Sequence, residues 1–194
     1  MRKSRFVLLA IFLVATLKLS AQGKYEQETR IPKAQFPSNA LELVSPYLED
    51  AKRVRFYHEQ DSTKRSYEVK FKNRKLHYSI EFNEQGLLED VEFIIQKGDI
   101  PEDSWNNMTN KLTSKFKKFR IKKIQQQYPC KDRDSKEVMQ QAFQNLILSY
   151  INYELVFAAK DKQQFKTYEA LFNSEGTLLK LRQSFTSNYD HILY

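Results

Sequence analysis

Apolar and polar residues alternate strictly in two well-separated parts of the chain. In YEVKF, Tyr67, Val69 and Phe71 fall on one side of an extended backbone and Glu68 and Lys70 on the other. LHYSIEF repeats the pattern, with Leu76, Tyr78, Ile80 and Phe82 set against His77, Ser79 and Glu81. Alternation of this kind predicts antiparallel strands with one face buried. The polar stretch KNRK between them is short enough for a hairpin. Read along the whole chain, the pattern predicts strands near 52–58, 66–72, 75–83 and 87–95, then 120–128, 151–159, 165–173 and 177–184.

Elsewhere the apolar period is helical. Ser38 is placed to cap a helix carrying Ala40, Leu41, Val44 and Leu48, with Pro46 expected to break or kink it. Trp105, Met108, Leu112, Phe116 and Phe119 follow the same spacing later in the chain. That aromatic stripe is the signature of a core-facing helix. A sheet with one apolar face needs a cover, and these helices are suited to provide it.

The two strand-rich parts match one another. YEVKF at Tyr67 returns as YELVF at Tyr153, 86 positions on. The turns NEQG and NSEG return at an offset of 90, and an Ile-Pro pair at Ile31–Pro32 returns at Ile100–Pro101, 69 positions on. Preserved order over such a length indicates an internal duplication. Gly86 and Gly176 then hold the same place, each supplying the positive φ of a hairpin turn. The change of offset from 69 to 86 leaves about 17 extra residues in the second copy. They fall where Ser135 is placed to cap an inserted amphipathic helix, about 135–149, with Val138, Met139, Ala142, Phe143, Leu146 and Ile147 on its apolar side.

The N-terminus alters the charge argument. Residues 1–21 combine Arg2, Lys3 and Arg5 with an apolar run from Phe6 to Leu17 and then small residues, the form of a signal peptide cleaved near Ala21. A short membrane anchor is the alternative, although the run is brief for a bilayer span. No cysteine follows it to carry a lipid. Removing Arg2, Lys3, Arg5 and Lys18 from the 32 basic residues leaves 28 against 24 acidic ones, so the formal charge falls from +8 to +4. Export and this modest charge argue against a nucleic-acid partner, and no transmembrane segment is expected in the mature chain. The lone Cys130 excludes an internal disulfide.

The organisation expected is therefore α+β. A leader (1–21) and a linker (22–30) precede a first unit (31–97), a second unit (98–186) and a tail (187–194). Each unit is a helix packed on a roughly four-stranded antiparallel sheet, the second with the inserted helix. An exported chain of such units, with YEV, a short hairpin and FNEQGLLEDVEF, resembles the PepSY-like proteins exported by Bacteroidetes-type bacteria. Those in turn are similar to the β-lactamase inhibitor protein fold. The resemblance spans about Ile31 to Gln183. It implies a periplasmic or secreted module that binds or inhibits an envelope protein or peptide, and it implies no catalytic residues.

Reactive chemistry is sparse. His58, His77 and His191 lack metal-binding spacing, Cys130 has no second cysteine nearby, and no nucleophile motif occurs. No cofactor, metal or catalytic residue is expected. Glu89 and Asp90 are neighbours on a predicted strand and should point to opposite faces. The run KFKKFRIKK, Lys115–Lys123, reads as a helix end and strand start with its cations in water, or as a polyanion-binding surface. Among outward strand positions, the first unit offers mainly polar residues, whereas the second offers Val156, Phe165 and Leu171. Those three should be covered either by the inserted helix or by a partner, and they are the candidate partner-binding residues. A small-ligand, metal or envelope-lipid binder is the alternative to a protein-binding module.

Overall fold

The computed structural model describes residues 26–61, 64–161 and 164–184; the side chains of Glu26 and Asp61 are outside that description. The expected leader, 1–21, and tail, 187–194, lie outside the described residues, as does His191. Among the described residues, nine strands and three α-helices follow one another as β1 (Glu26–Ile31), α1 (Ser38–Leu48), β2 (Lys52–Asp61), β3 (Lys64–Asn73), β4 (Leu76–Asn83), β5 (Leu88–Ile94), α2 (Glu102–Lys115), β6 (Phe119–Pro129), α3 (Ser135–Phe143), β7 (Asn152–Asp161), β8 (Gln164–Asn173) and β9 (Leu178–Ser184). The strands form one antiparallel sheet in the order of the sequence, so the fold is α+β. Strands β5 and β6 pair directly, Val91 opposite Tyr128 and Phe93 opposite Gln126, which carries the sheet unbroken across its centre.

All three helices pack on one face. Ala40 and Val44 of α1, Met108 and Leu112 of α2, and Val138, Met139 and Ala142 of α3 join a single core with Val69, Ile80, Phe82, Val91, Phe93, Leu155 and Phe172. These strand residues are the inward members of the alternation, which is why period two in the strands meets period 3.6 in the helices. Helix α3 seats at the junction of the halves. Phe143 at its end stacks on Tyr78, with ring centroids 4.4 Å apart, and packs at a tilt against Tyr47 of α1 at 4.2 Å. The chain returning from α3 is tied to the same face, where the Tyr128 hydroxyl donates to the Leu146 carbonyl at 2.7 Å.

Gly86 and Gly176 do more than turn a hairpin. Both have positive φ, 72° and 83°. In each turn an asparagine, Asn83 or Asn173, accepts two backbone N–H bonds through its side chain. Each glycine also lies against the first turns of a helix. A Cβ on Gly86 would stand 2.7 Å from Pro37 Cβ and collide with the Asn39 side chain; on Gly176 it would stand 2.8 Å from Asn107 Cβ and collide with the Ser104 carbonyl. The helices hold these turns by hydrogen bonds: Asn39 donates to the carbonyls of Gln85 and Gly86, and Asn107 to that of Glu175. Neither α1 nor α2 has a side-chain cap of its own.

Several sequence expectations need correction. Residues 26–30, read as linker, belong to β1, which pairs with β2 from Glu26–Asp61 to Ile31–Phe56. Its inward positions are only partly apolar, so alternation alone does not reveal it. Pro37, not Ser38, occupies the N-cap of α1, and the helix continues past Pro46 to Leu48. Asp134, not Ser135, caps α3 by accepting from the Glu137 N–H at 2.9 Å. Helix α3 ends at Phe143 rather than near 149, where Asn145 turns to φ 52°. The Ile-Pro match is out of structural register as well. A 3₁₀ turn, an apolar residue and a proline precede each helix, as Lys33–Gln35, Phe36, Pro37 and as Lys97–Asp99, Ile100, Pro101, a shift of 64 rather than 69.

Candidate functional site

The sheet face opposite the helices carries the outward residues. Strand pairing lays them out in rows: Tyr57, Glu68, Glu81 and Asp90 in one; Arg55, Lys70, Ser79, Glu92, Gln127 and Asn152 in the next. Gln125, Glu154, Leu171 and Lys180 follow, then Lys123, Val156, Glu169 and Arg182. None of the three helices covers this face.

The predicted apolar patch is only partly realised. Phe165 is 55% exposed and Leu171 half-buried, but Val156 is 1% exposed and cannot offer surface to a partner. Val156 is buried without joining the helix-side core, flanked in its row by Lys123 and Glu169. The inserted helix is not its cover: α3 packs on the opposite face, and Leu146 and Ile147, expected on its apolar side, lie beyond its end and are exposed.

Polar residues dominate the centre of the outer face. At the β1–β3 end, the Lys70 ammonium lies 2.5 Å from Glu28 Oε2 and 2.7 Å from Glu68 Oε2, over the Tyr57 ring at 4.9 Å. Glu28, Glu59 and Glu68 converge closely enough for a cation, their ligand oxygens within 4.8 Å of one another. The Lys70 ammonium supplies that cation internally. Burial alone would lower the Lys70 pKa, but Glu68, Glu28 and Glu59 raise it. For Glu68, burial raises the pKa while Lys70 and hydrogen bonds, including one from Ser79, carry it below the ordinary carboxylate value.

The junction strands carry a second acidic group. A β-bulge between β4 and β5 sets Glu81 opposite Asp90 and Phe82 opposite Leu88. Two consecutive residues therefore oppose one, and Glu89 and Asp90 both reach the outer face, contrary to the expectation from simple alternation. Lys64 bridges Glu89 at 2.5 Å and Glu81 at 3.3 Å. Glu92 accepts from Gln125 Nε2 at 2.7 Å and from Gln127 Nε2 at 3.0 Å, and Gln127 Nε2 also donates to Asp90 Oδ2 at 3.2 Å. Asn152 Nδ2 donates to Gln127 Oε1 at 2.9 Å, which fixes that amide's orientation. Burial, then the neighbouring Glu154 charge, pushes Glu92 up to about 8. Burial, then Glu92, holds Asp90 well above its ordinary value. The sequence signal was three outward acids, Glu81, Asp90 and Glu92, on adjacent strands, legible only once the register and the bulge are known.

Other candidate residues are structural in placement. Phe116 packs against Phe157 and Tyr168, and Phe119 against Phe157, while Lys115, Lys117, Lys118, Arg120 and Lys122 are exposed; the basic run is a helix end and strand start. Cys130 is buried, its thiol pKa raised chiefly by burial. His58 packs its ring against Tyr67. Between α1 and the segment leading into α3 lies an open groove of about 1120 Å³, with Leu43, Pro46, Tyr47, Leu87, Arg133 and Lys136 on its walls. Among the described residues, no helix is long and apolar enough to cross a membrane.

The fold of the described residues defines a class: an open antiparallel sheet in sequence order, with its three α-helices on one side. No family model matches the chain, and no curated protein matches it. Solved structures do resemble it. A DUF2874 family protein from Bacteroides uniformis aligns with 79% of this chain and 93% of its own at 13% identity and a TM-score of 0.53. A protein from Bacteroides eggerthii, provisionally described as periplasmic, aligns with 76% of this chain and 88% of its own at 11% identity and a TM-score of 0.51. A BLIP-like protein from Bacteroides fragilis aligns with 82% of this chain and 92% of its own at 11% identity and a TM-score of 0.48. At these identities the first two show a shared fold.

Proposed function

We propose that the chain is a non-enzymatic module, exported to the periplasm or beyond after cleavage near Ala21, that binds a protein or peptide of the cell envelope through the outer face of its sheet. The observation that carries this reading is the one-sided packing of the helices, which leaves that face uncovered by any of them while it carries exposed Phe165, half-buried Leu171 and a dense polar centre. The provisional periplasmic description of a structural neighbour supports the location. The matching hairpins at Gly86 and Gly176 support two similar units that arose by duplication, in the manner of PepSY-like and β-lactamase-inhibitor-like proteins. Inhibition of an enzyme is one form such binding takes.

The test pairs Phe165→Glu with Leu171→Lys and compares capture of partners from the native envelope fraction. The double variant should fold, because no helix packs on these positions, and should lose a partner that the unchanged chain retains. Identical capture by both proteins would remove this face from the reading. A second reading, binding of a small ligand, is favoured only by the groove beside α1; a thermal shift by a small molecule that depends on Tyr47 and Arg133 would support it.

A further inference from the structure

The two acidic groups of the outer face differ in how their charge is met. Around Glu28 and Glu68 the chain provides its own cation, the Lys70 ammonium. Around Asp90 and Glu92 it provides amides. Among the described residues no ammonium or guanidinium lies within ion-pair distance of either carboxylate; the nearest cations across the face, Lys64 and Lys123, act on them from a distance. The second observation is Gln125. It is 6% exposed, donates its Nε2 to Glu92, and leaves its buried Oε1 with no partner. A buried acceptor without a donor is costly, so the cluster has unused capacity for a group that donates several hydrogen bonds.

The form of that group follows from the spacing. Glu28, Glu59 and Glu68 are the single set of three such residues, among those described, whose ligand atoms converge within 4.8 Å. Asp90 and Glu92 belong to no such set: among the described residues no third acidic, histidine or cysteine ligand converges with them, which leaves too few charged ligands to hold a metal ion well. A planar guanidinium, with five N–H donors in a fixed fork, matches carboxylates flanked by an amide acceptor, and its charge opposes that of both carboxylates. Asp90 and Glu92 are half-buried, open enough to be met from outside.

We propose that Asp90, Glu92 and Gln125 form the docking site for an arginine side chain of the bound protein partner. This rests on the outer face being the binding face and specifies what the partner presents there. The guanidinium takes the place at the junction that the Lys70 ammonium takes at the β1–β3 end. The charged and titratable groups facing the site are Glu81 and, beyond it, Glu68 and Lys70 on one side; Lys64 and Glu89 at the bulge; and Lys123 and Glu154 on the other. Because the carboxylates titrate high when the site is empty, an entering cation expels a proton. Affinity should rise about tenfold per pH unit for one proton released, as long as the pH is below the empty-site value.

The test uses the mature chain and two end-blocked peptides, Gly-Arg-Gly-Arg-Gly and its lysine counterpart. Titrations are followed by the NMR signals of the Gln125 and Gln127 side-chain amides and by calorimetry in two buffers of different ionisation enthalpy. Expected are saturable shifts of those amide signals with the arginine peptide, proton release near neutral pH, and affinity at about pH 7.5 roughly tenfold above that at about pH 6.5. Asp90→Asn with Glu92→Gln should weaken binding at least about tenfold, the size of losing a charge-assisted pair. The proton count on the unchanged protein needs no variant, so the test holds even if that variant misfolds. No binding, shifts confined to other residues, tighter binding of the lysine peptide, absence of proton release, or calcium ions reproducing the same shifts would each overturn the proposal. Loss of capture in the Phe165 and Leu171 variant with no arginine binding would leave the outer-face reading intact and remove this one. Arginine binding at Gln125 with capture indifferent to that variant would leave a cation site with no role in docking the partner, and so would overturn this proposal together with the outer-face reading.

Discussion

Glu92→Gln should make the protein more stable at about pH 8 and change little at about pH 5. The carboxyl of Glu92 has its pKa raised from 4.5 to about 8, first by burial and then by Glu154. Raised in the folded state, it holds its proton more tightly there than in the unfolded chain. The resulting stabilisation is complete below about 4.5 and disappears as pH rises through 8. At about 1.4 kcal/mol per pKa unit the full effect is roughly 4–5 kcal/mol; partial solvent access and relaxation of neighbouring amides reduce it to about 1–2 kcal/mol. Glutamine has nearly the same shape and no charge. Rotating the Gln125 amide would let its Oε1 accept from the new side chain but would move its Nε2 into the buried position that now lacks a partner, a cost that keeps the gain near the lower end of that range. Urea unfolding of both proteins at the two pH values measures the difference in free energy, and thermal unfolding near pH 8 should show it as about 2–8 °C in Tm. An unchanged protein whose stability rises between these pH values, or a variant less stable at pH 8, would refute the account of the junction carboxylates.

Three further outcomes are expected. Gly86→Ala and Gly176→Ala should each lose about 2–4 kcal/mol by denaturant unfolding, since positive φ and the neighbouring helix both exclude a Cβ; Gly176 should be the more sensitive, because a backbone carbonyl blocks it. Lys70→Met should destabilise by about 2–4 kcal/mol, and millimolar calcium should restore part of the loss by occupying the oxygens of Glu28, Glu59 and Glu68, read as a calcium-dependent Tm that the unchanged protein lacks. Phe143→Ala should cost about 2–3 kcal/mol in unfolding free energy, below the value for a fully buried ring, by removing the ring that stacks on Tyr78 and leans against Tyr47, while leaving the outer face and its peptide titration unaltered.

Eight strands were legible because their inward residues are large and regularly spaced; Val69, Ile80, Phe82, Leu155 and Phe172 announce a buried face whichever way the sheet curls. Strand β1 was not, since EQETRI places only Ile31 as a strong apolar mark and takes its identity from pairing with β2. The face chosen by α3 was equally hidden. Its own amphipathic pattern fixes which side of the helix is buried but not against which sheet face, and Tyr47, Phe71 and Tyr78 decide that through Phe143. The acidic centre required two tertiary facts, the β5–β6 pairing and the bulge that turns Glu89 outward. Alternation predicts the opposite for Glu89 and Asp90, because one extra residue reverses every side assignment after it.

The direct pairing of β5 with β6 has a kinetic consequence. Ladder hydrogen bonds run from one half to the other where a two-domain protein would have a hinge, and α3 is laid across the same place. A partner docking on the outer face as proposed would meet it already assembled, with no closing motion to wait for. Association should be set by diffusion and charge, and its rate should fall with added salt but remain insensitive to solvent viscosity beyond the diffusional share.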